Sequence, residues 1–519
     1  MDKICIIDMG SQSAHLIARR IRELGVYSEI LPNNIAIGKL REYQPKGIIL
    51  SGGPSSVYED DSPHLTEDFF RFIKDDKIPV LGICYGLQLI IHQLGGKIKP
   101  YTKKEYGKTE LEILNPGKLL DSLNEKEIVW MSHGDQVEIM PRGFEILAKT
   151  ATCPIAAYAN EDLKLYGVQF HPEVVHTPKG IKILKNFIEK IVHAKKEWNL
   201  ENWIEKSIEN IKKEVGPKNR VILGLSGGVD SSVVAALFQR AIGNRLHSIF
   251  VNNGVLRKNE EIQVQKTFNQ ELKFENFHYI NAEGLFLERL KNITDPEEKR
   301  RIIGHTFIEV FEKKTIELEK AYPDIKYLAQ GTIYPDRVET STTSSSSVKI
   351  KSHHNLTLPD DMTLKIIEPL KDLYKDEVRK IGLQLGLPKT IIFRHPFPGP
   401  GLAVRIVGPI GKEKLDILRN ADEILIDEIR KANIYDSLWQ AFCVFLPLKT
   451  VGIMGDYRTY EYICAIRVVE SLDAMTANFA KLDWELLEKI STRIINEVKG
   501  INRVVYDISH KPPSTIEYE

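Results

Sequence analysis

The chain has 519 residues, 42% of them hydrophobic and 27% charged, and its Lys plus Arg (71) equals its Asp plus Glu (71). That length holds roughly three or four domains, each able to bury a core without staples, and the balanced charge argues against a general nucleic-acid or membrane-surface binder. Five scattered cysteines (Cys5, Cys84, Cys153, Cys443, Cys464) without CxxC spacing argue against a disulfide framework and a structural zinc site, and for a reducing, cytoplasmic compartment.

In chain order, residues 3–8 read as a strand that opens a domain, with no signal-peptide pattern. Residues 11–25 have helical spacing, and 27–31, 47–50 and 79–84 repeat the strand pattern. This alternation predicts a parallel sheet with helices on both faces. The uncharged run 78–96 is as long as a membrane span, but lipid would leave Gln88, His92 and Gln93 unpaired, so it reads as strand, tight turn and helix. Short strands follow at 111–114, 128–131, 144–150, 155–158 and 165–169, then a closing helix at 178–195.

A polar helix at 199–215 leads to Gly216-Pro217, a linker signal, and a second α/β alternation. Strands are predicted at 221–225, 247–252, 277–281 and 326–330, with helices at 231–242, 259–269 and 297–320. The tract 340–347 (TSTTSSSS) is too polar to pack and reads as a loop. After the Pro/Gly cluster at 395–401, helices at 412–432 and 483–499 mix with strands at 444–448, 462–469 and 503–508. The expected architecture is two parallel-sheet α/β domains, 1–197 and 198–393, followed by a small α+β domain, 394–519.

Gly82-Ile83-Cys84-Tyr85-Gly86 fits G-x-C-x-G, the thiol form of a nucleophile elbow. A strand ending at Cys84 and a helix starting after it lift the sulfur above the sheet and aim the helix N-terminus at it. A core cysteine would be the bland alternative. Phe170-His171-Pro172-Glu173 places an imidazole and a carboxylate on one side of an extended segment, suited to a Cys-His-Glu triad. Gly52-Gly53-Pro54 offers backbone N–H groups for an oxyanion.

With Ser132-His133-Gly134-Asp135, these motifs resemble the class I glutamine amidotransferases over about residues 1–196. The resemblance implies that Cys84 attacks the glutamine side-chain amide, ammonia leaves, and water releases glutamate. It implies an oxyanion hole from the N–H groups of Gly53 and Tyr85, and a glutamine pocket lined by Gln88, Ser132, His133, Gly134 and Asp135.

Ser226-Gly227-Gly228-Val229-Asp230-Ser231-Ser232 follows an apolar strand and opens a helix. Glycines let backbone approach phosphates, and the helix N-terminus favours anions. No Walker Lys follows, and Asp230 inside the cradle makes sense as a holder of Mg²⁺ brought with ATP. The loop is similar to that of ATP pyrophosphatases, several of which, including NAD synthetase, share it. Gln330 and Gly331 are expected beside it.

Downstream, residues 295–301, 329–336, 350–355, 394–401 and 511–517 resemble the glutamine-hydrolysing GMP synthetase family along the whole chain. That resemblance implies XMP, ATP and glutamine as substrates and a homodimer formed through the C-terminal domain. It implies XMP contacts from Arg300, Lys511, Thr515, Ile516 and Glu517, in a C-terminal tail that its prolines and Ile516 predict to be docked. A lid at about 337–365 would present Lys349, Lys351, His353 and His354 to phosphates. Three alternatives stay open from the sequence alone: another amidating synthetase such as NAD synthetase, a tRNA-thiolating PP-loop protein, and a non-catalytic binding protein.

Overall fold

Short β-branched runs build the middle of the first sheet. A computed structural model describes residues 1–337, 364–471 and 476–519, and among these two compact units are formed by 1–203 and 204–519. In the first unit the strands are β1 (Lys3–Asp8), β2 (Tyr27–Pro32), β3 (Gly47–Leu50), β4 (Val80–Ile83), β5 (Lys97–Ile113), β6 (Lys126–Ile139), β7 (Glu145–Lys149), β8 (Ala157–Asn160) and β9 (Leu165–Val168). They join in the order β2-β1-β3-β4-β9-β8-β7-β5-β6. The five strands from β2 to β9 are parallel, and every residue of β3 and β4 is buried, as two covered faces demand. The uncharged run at 78–96 resolves into β4, a sharp turn and the helix Tyr85–Gln93. No helix among the described residues is long and apolar enough to cross a membrane.

The hairpin β5–β6 departs from the sequence reading. Strands of 17 and 14 residues stand where the pattern predicts four-residue segments. Polar side chains alternate along an antiparallel pair with one face toward water, so the flanks carry little hydrophobic signal.

In the second unit β10 (Arg220–Gly224), β11 (Leu246–Asn252), β12 (Phe277–Asn281), β13 (Ile325–Ala329) and β14 (Lys365–Ile367) form a parallel sheet of order β12-β11-β10-β13-β14. The chain builds first to one side of β10 (β11, β12) and then to the other (β13, β14), so the loop after β10 stands at a topological switch point, where α/β sheets bind ligands. The helix Val229–Ile242 starts from that loop.

A smaller sheet follows: β15 (Gln440–Met454) and β16 (Tyr457–Glu470) are antiparallel, β17 (Asn478–Phe479) extends β16, and β18 (Ile501–Tyr506) lies parallel to β16. The helices Lys412–Lys431 and Trp484–Glu497 cover it. One apolar cluster runs from Ile222 and Ile249 through Leu418 and Leu425 to Phe445 and Ile466. The helix Lys375–Gln384 and the three-residue β14 were not anticipated from the sequence. Lys349, Lys351, His353 and His354, the expected lid cations, lie outside the described residues.

Candidate active sites

Cys84 sits between β4 and the helix Tyr85–Gln93 with φ +52°, a left-handed backbone that a non-glycine residue adopts only when its surroundings force it. The Cys84 N–H donates to the Val168 carbonyl at 2.8 Å, and Gly86 N–H to the Ser51 carbonyl at 3.2 Å. Flanking glycines are required here. A Cβ on Gly82 would lie 2.5 Å from the Gly86 carbonyl, and one on Gly86 would lie 2.5 Å from the Leu50 carbonyl.

His171 Nδ1 lies 2.8 Å from Glu173 Oε1, and the Cys84 thiol is close enough to act on its ring. Burial alone would lower the imidazole's pKa; the Glu173 carboxylate and the hydrogen bonds with Cys84 and Glu173 outweigh it and hold it up at about 11. Ser13 Oγ donates to the same Glu173 Oε1 at 2.6 Å, and Arg20 Nε to the Glu173 carbonyl at 3.2 Å. A Cβ on Gly52 would meet His171 Cε1 at 3.3 Å and Cys84 Cβ at 3.8 Å, so this loop forms the wall of the thiol site. Gly53 is packed where a Cβ would stand 2.5 Å from the Met9 carbonyl and 3.4 Å from Tyr85 Cγ, so only glycine fits beside the Tyr85 ring.

The Ser132 carbonyl is 3.7 Å from Cys84 Sγ. Gln88 donates through Nε2 to the Asp135 carbonyl at 2.8 Å, and the Asp135 carboxylate accepts from Ser56 Oγ at 2.5 Å and Tyr58 OH at 3.0 Å. Gly134 lies between them on β6. The His133 ring is buried, with Nε2 3.2 Å from Glu105 Oε2.

In the second unit the Ser226–Ser232 loop is internally braced. Ser226 Oγ and Ser231 Oγ are 3.0 Å apart, Gly228 N–H donates to Ser226 Oγ at 3.2 Å, and Ser232 Oγ donates to the Gly228 carbonyl at 2.7 Å. Gly227 has φ +74°, and its carbonyl accepts from Arg394 at 2.6 Å. Val229 is buried as the first residue of its helix. Asp230 Oδ2 accepts from Lys375 Nζ at 2.5 Å, while Oδ1 is buried without a partner among the described residues. Gly331 packs where a Cβ would lie 3.4 Å from Asp230 Cβ, and the neighbouring Gln330 N–H donates to the Ile367 carbonyl at 3.0 Å.

The C-terminal tail is docked. Buried Arg467 donates to the Thr515 carbonyl at 2.9 Å and to the Ile516 carbonyl at 3.4 Å, and Ile516 joins an apolar cluster with Phe442 and Val444. Lys511 pairs through its backbone with Ala477. Glu517 is gripped by Arg405 at 2.9 and 3.0 Å and by Gln440 Nε2 at 2.8 Å. Arg300 donates to the Glu519 carbonyl at 2.6 Å, and buried Lys299 pairs with the Glu519 carboxylate. Arg300 and the tail therefore meet. Arg405 and Gln440 escaped the sequence reading because each is a lone polar residue in an otherwise apolar stretch, and Lys299 because nothing distinguishes it within the charged run 295–301.

A thiol–imidazole–carboxylate set at a strand–helix elbow and a glycine–serine phosphate loop at a switch point define the class: a glutamine amidotransferase combined with a PP-loop nucleotide enzyme. Family models agree, with glutamine amidotransferase class-I matching residues 5–191, NAD synthase 173–298 and GMP synthase C terminal domain 427–518. The GMP synthase (glutamine-hydrolyzing) of Brachyspira hyodysenteriae is 53% identical over 100% of this chain and 99% of its own length. That of Carboxydothermus hydrogenoformans is 54% identical over 100% and 99%. The chain belongs to the GMP synthase (glutamine-hydrolyzing) family.

Proposed function

We infer that this chain converts XMP, ATP, glutamine and water into GMP, AMP, pyrophosphate and glutamate. The observation that carries the reading is the pairing, along one chain, of the Cys84–His171–Glu173 set with an ATP-type loop, in a sequence about half identical to GMP synthases over its full length. An NAD synthetase is disfavoured by the match of residues 427–518 to the GMP synthase C-terminal family.

The roles follow from the chemistry of the side chains. Cys84 attacks the glutamine carboxamide, with Gly53 and Tyr85 N–H groups facing the developing oxyanion. His171, held protonated beside Glu173, delivers a proton to the departing nitrogen as ammonia leaves. Water then releases glutamate from the thioester. In the second unit the Ser226–Ser232 loop holds the phosphates of ATP, and XMP is activated as its adenylate before ammonia displaces AMP. Arg300 and the tail residues Lys511, Thr515, Ile516 and Glu517 surround XMP in this reading.

The orphaned Asp230 Oδ1 fits a divalent cation. Bound there with ATP, Mg²⁺ would offset phosphate charge, with Asp230 as its protein ligand. A homodimer is the natural assembly. On the β15–β16 hairpin Val451, Ile453 and Tyr460, which the register places on one face, are 44%, 79% and 64% exposed, an apolar patch that a second copy would cover. Cytoplasmic residence fits five unpaired cysteines.

The deciding experiment is XMP-dependent GMP formation with glutamine and with ammonium salt. Cys84→Ala is expected to abolish the glutamine reaction and spare the ammonium one. Loss of both would overturn the two-site reading.

A further inference from the structure

A hydrogen-bonded chain of side chains runs inward from the Cys84 sulfur. Gln169, just past β9, is fully buried, and its Nε2 lies 3.6 Å from Cys84 Sγ. Its Oε1 accepts from Gln88 Nε2 at 3.1 Å, and the same Gln88 nitrogen donates to the Asp135 carbonyl at 2.8 Å. That carbonyl also meets His133 Nδ1 at 2.9 Å. His133 Nε2 in turn faces Glu105 Oε2 at 3.2 Å, and Glu105 Oε1 accepts from Thr150 at 2.8 Å and Thr152 at 2.6 Å.

Donor and acceptor roles along this chain follow by elimination. The Asp135 carbonyl can only accept, so the Gln88 atom facing it is the amide nitrogen. The second hydrogen of that nitrogen points at Gln169, so the Gln169 atom it meets is the carbonyl oxygen. The Gln169 NH₂ group is thereby turned toward the sulfur. Flipping this amide would set its oxygen against Cys84 and its nitrogen against the Gln88 donor, with no other partner among the described residues to compensate. Nδ1 of His133 must also donate to the carbonyl, and a proton must lie between Nε2 and Glu105, which ties down the far end.

The Ser132 carbonyl, also near the sulfur, can accept only from the protonated thiol. The Gln169 amide does the opposite work: an N–H aimed at sulfur interacts more strongly with the anion than with the neutral group. We propose that Gln169 is a further catalytic residue of the glutamine-hydrolysing centre, donating to Cys84 so as to stabilise its thiolate, with Gln88 as the positioning residue that fixes the amide's orientation. This rests on Cys84 being the nucleophile.

The test uses the full-length protein at neutral pH. Carbamidomethylation of Cys84 by iodoacetamide is followed by peptide mass spectrometry alongside glutaminase kinetics, and ammonium-dependent GMP formation reports folding. Gln169→Leu is expected to slow both alkylation and glutaminase kcat about tenfold, with the glutamine KM changed by less than about threefold. The isosteric Gln169→Glu, which cannot donate when ionised, should slow them at least as much and guards against a folding defect. Gln88→Met should act in the same direction, and the Gln88→Met/Gln169→Leu double variant should be no slower than Gln169→Leu alone. Alkylation at the wild-type rate in both Gln169 variants, a change confined to KM, or additive effects in the double variant would overturn the proposal. A wild-type protein that hydrolyses no glutamine would instead remove the nucleophile reading on which it stands.

Discussion

Lys375 Nζ donates to Asp230 Oδ2 at 2.5 Å, although the two residues are 145 positions apart in the chain. The pair places a cation beside a phosphate loop that lacks the lysine of a Walker loop. With Lys375 on one oxygen and no partner on the other among the described residues, the negative Asp230 carboxylate is half satisfied. Asp230→Asn removes that charge at constant shape. It is expected to lower AMP and pyrophosphate formation at least about 100-fold with either nitrogen source, since metal held by a single protein carboxylate depends on it. Glutamine hydrolysis should persist. ATP cleavage at the wild-type rate in Asp230→Asn would rule out its role as the Mg²⁺ ligand.

The His171–Glu173 pair gives a pH dependence with a definite sign. Folding raises the pKa of His171 from 6.5 to about 11, so the folded state binds the extra proton more tightly. The associated stability is complete below pH 6.5, shrinks as pH rises above it, and is gone past pH 11. The unfolding free energy of the wild type minus that of His171→Gln should therefore fall steadily between those limits in urea titrations. A difference that grows with pH would mean that the imidazole is neutral in the folded protein.

Both sites were legible where neighbours in sequence are neighbours in space. Cys84 and its glycines act within one turn, and the His171–Glu173 hydrogen bond spans two residues. The phosphate loop is likewise continuous. Supporting partners were hidden because they come from distant elements. Gln169 is a lone polar residue at an apolar strand end, Glu105 and Ser13 stand among other polar residues that look the same, and Lys375 opens a charged helix in which nothing marks the residue that meets the loop. Glu517 was legible as part of a docked tail, but its grip by Arg405 was not, because a buried arginine inside Leu-Ala-Val-Arg-Ile has no sequence signature. The fold followed the same division: buried parallel strands stood out as apolar runs, while the half-exposed β5–β6 hairpin faded at both ends.

The elbow should be intolerant of a single methyl group. In Gly86→Ala the added carbon would lie 2.5 Å from the Leu50 carbonyl oxygen and 2.7 Å from Leu50 Cβ, and a backbone carbonyl in a buried strand cannot swing aside. A loss of about 1–3 kcal/mol in unfolding free energy is expected. Because the helix must lift away from β3, Cys84 should move relative to His171, and glutamine-dependent synthesis should drop while ammonium-dependent synthesis survives. Unchanged stability would show that the elbow has slack that its spacing does not reveal.

Arg405 and Glu517 carry the corresponding constraint at the other end of the chain. Arg405 is fully buried, its guanidinium sits 4.0 Å from the Phe442 ring centroid, and Glu517 supplies its only carboxylate among the described residues. Glu517→Gln leaves that buried cation without a counter-charge, which costs about 3 kcal/mol when one partner of a buried pair is removed. Arg405→Met/Glu517→Leu, which removes both charges, should recover most of the loss. If Glu517 also contacts XMP, both variants will raise the XMP KM in the ammonium assay, the stable double variant included. Recovery of stability together with a wild-type XMP KM would assign Glu517 to holding the tail alone, because activity would then follow the fold and not the carboxylate.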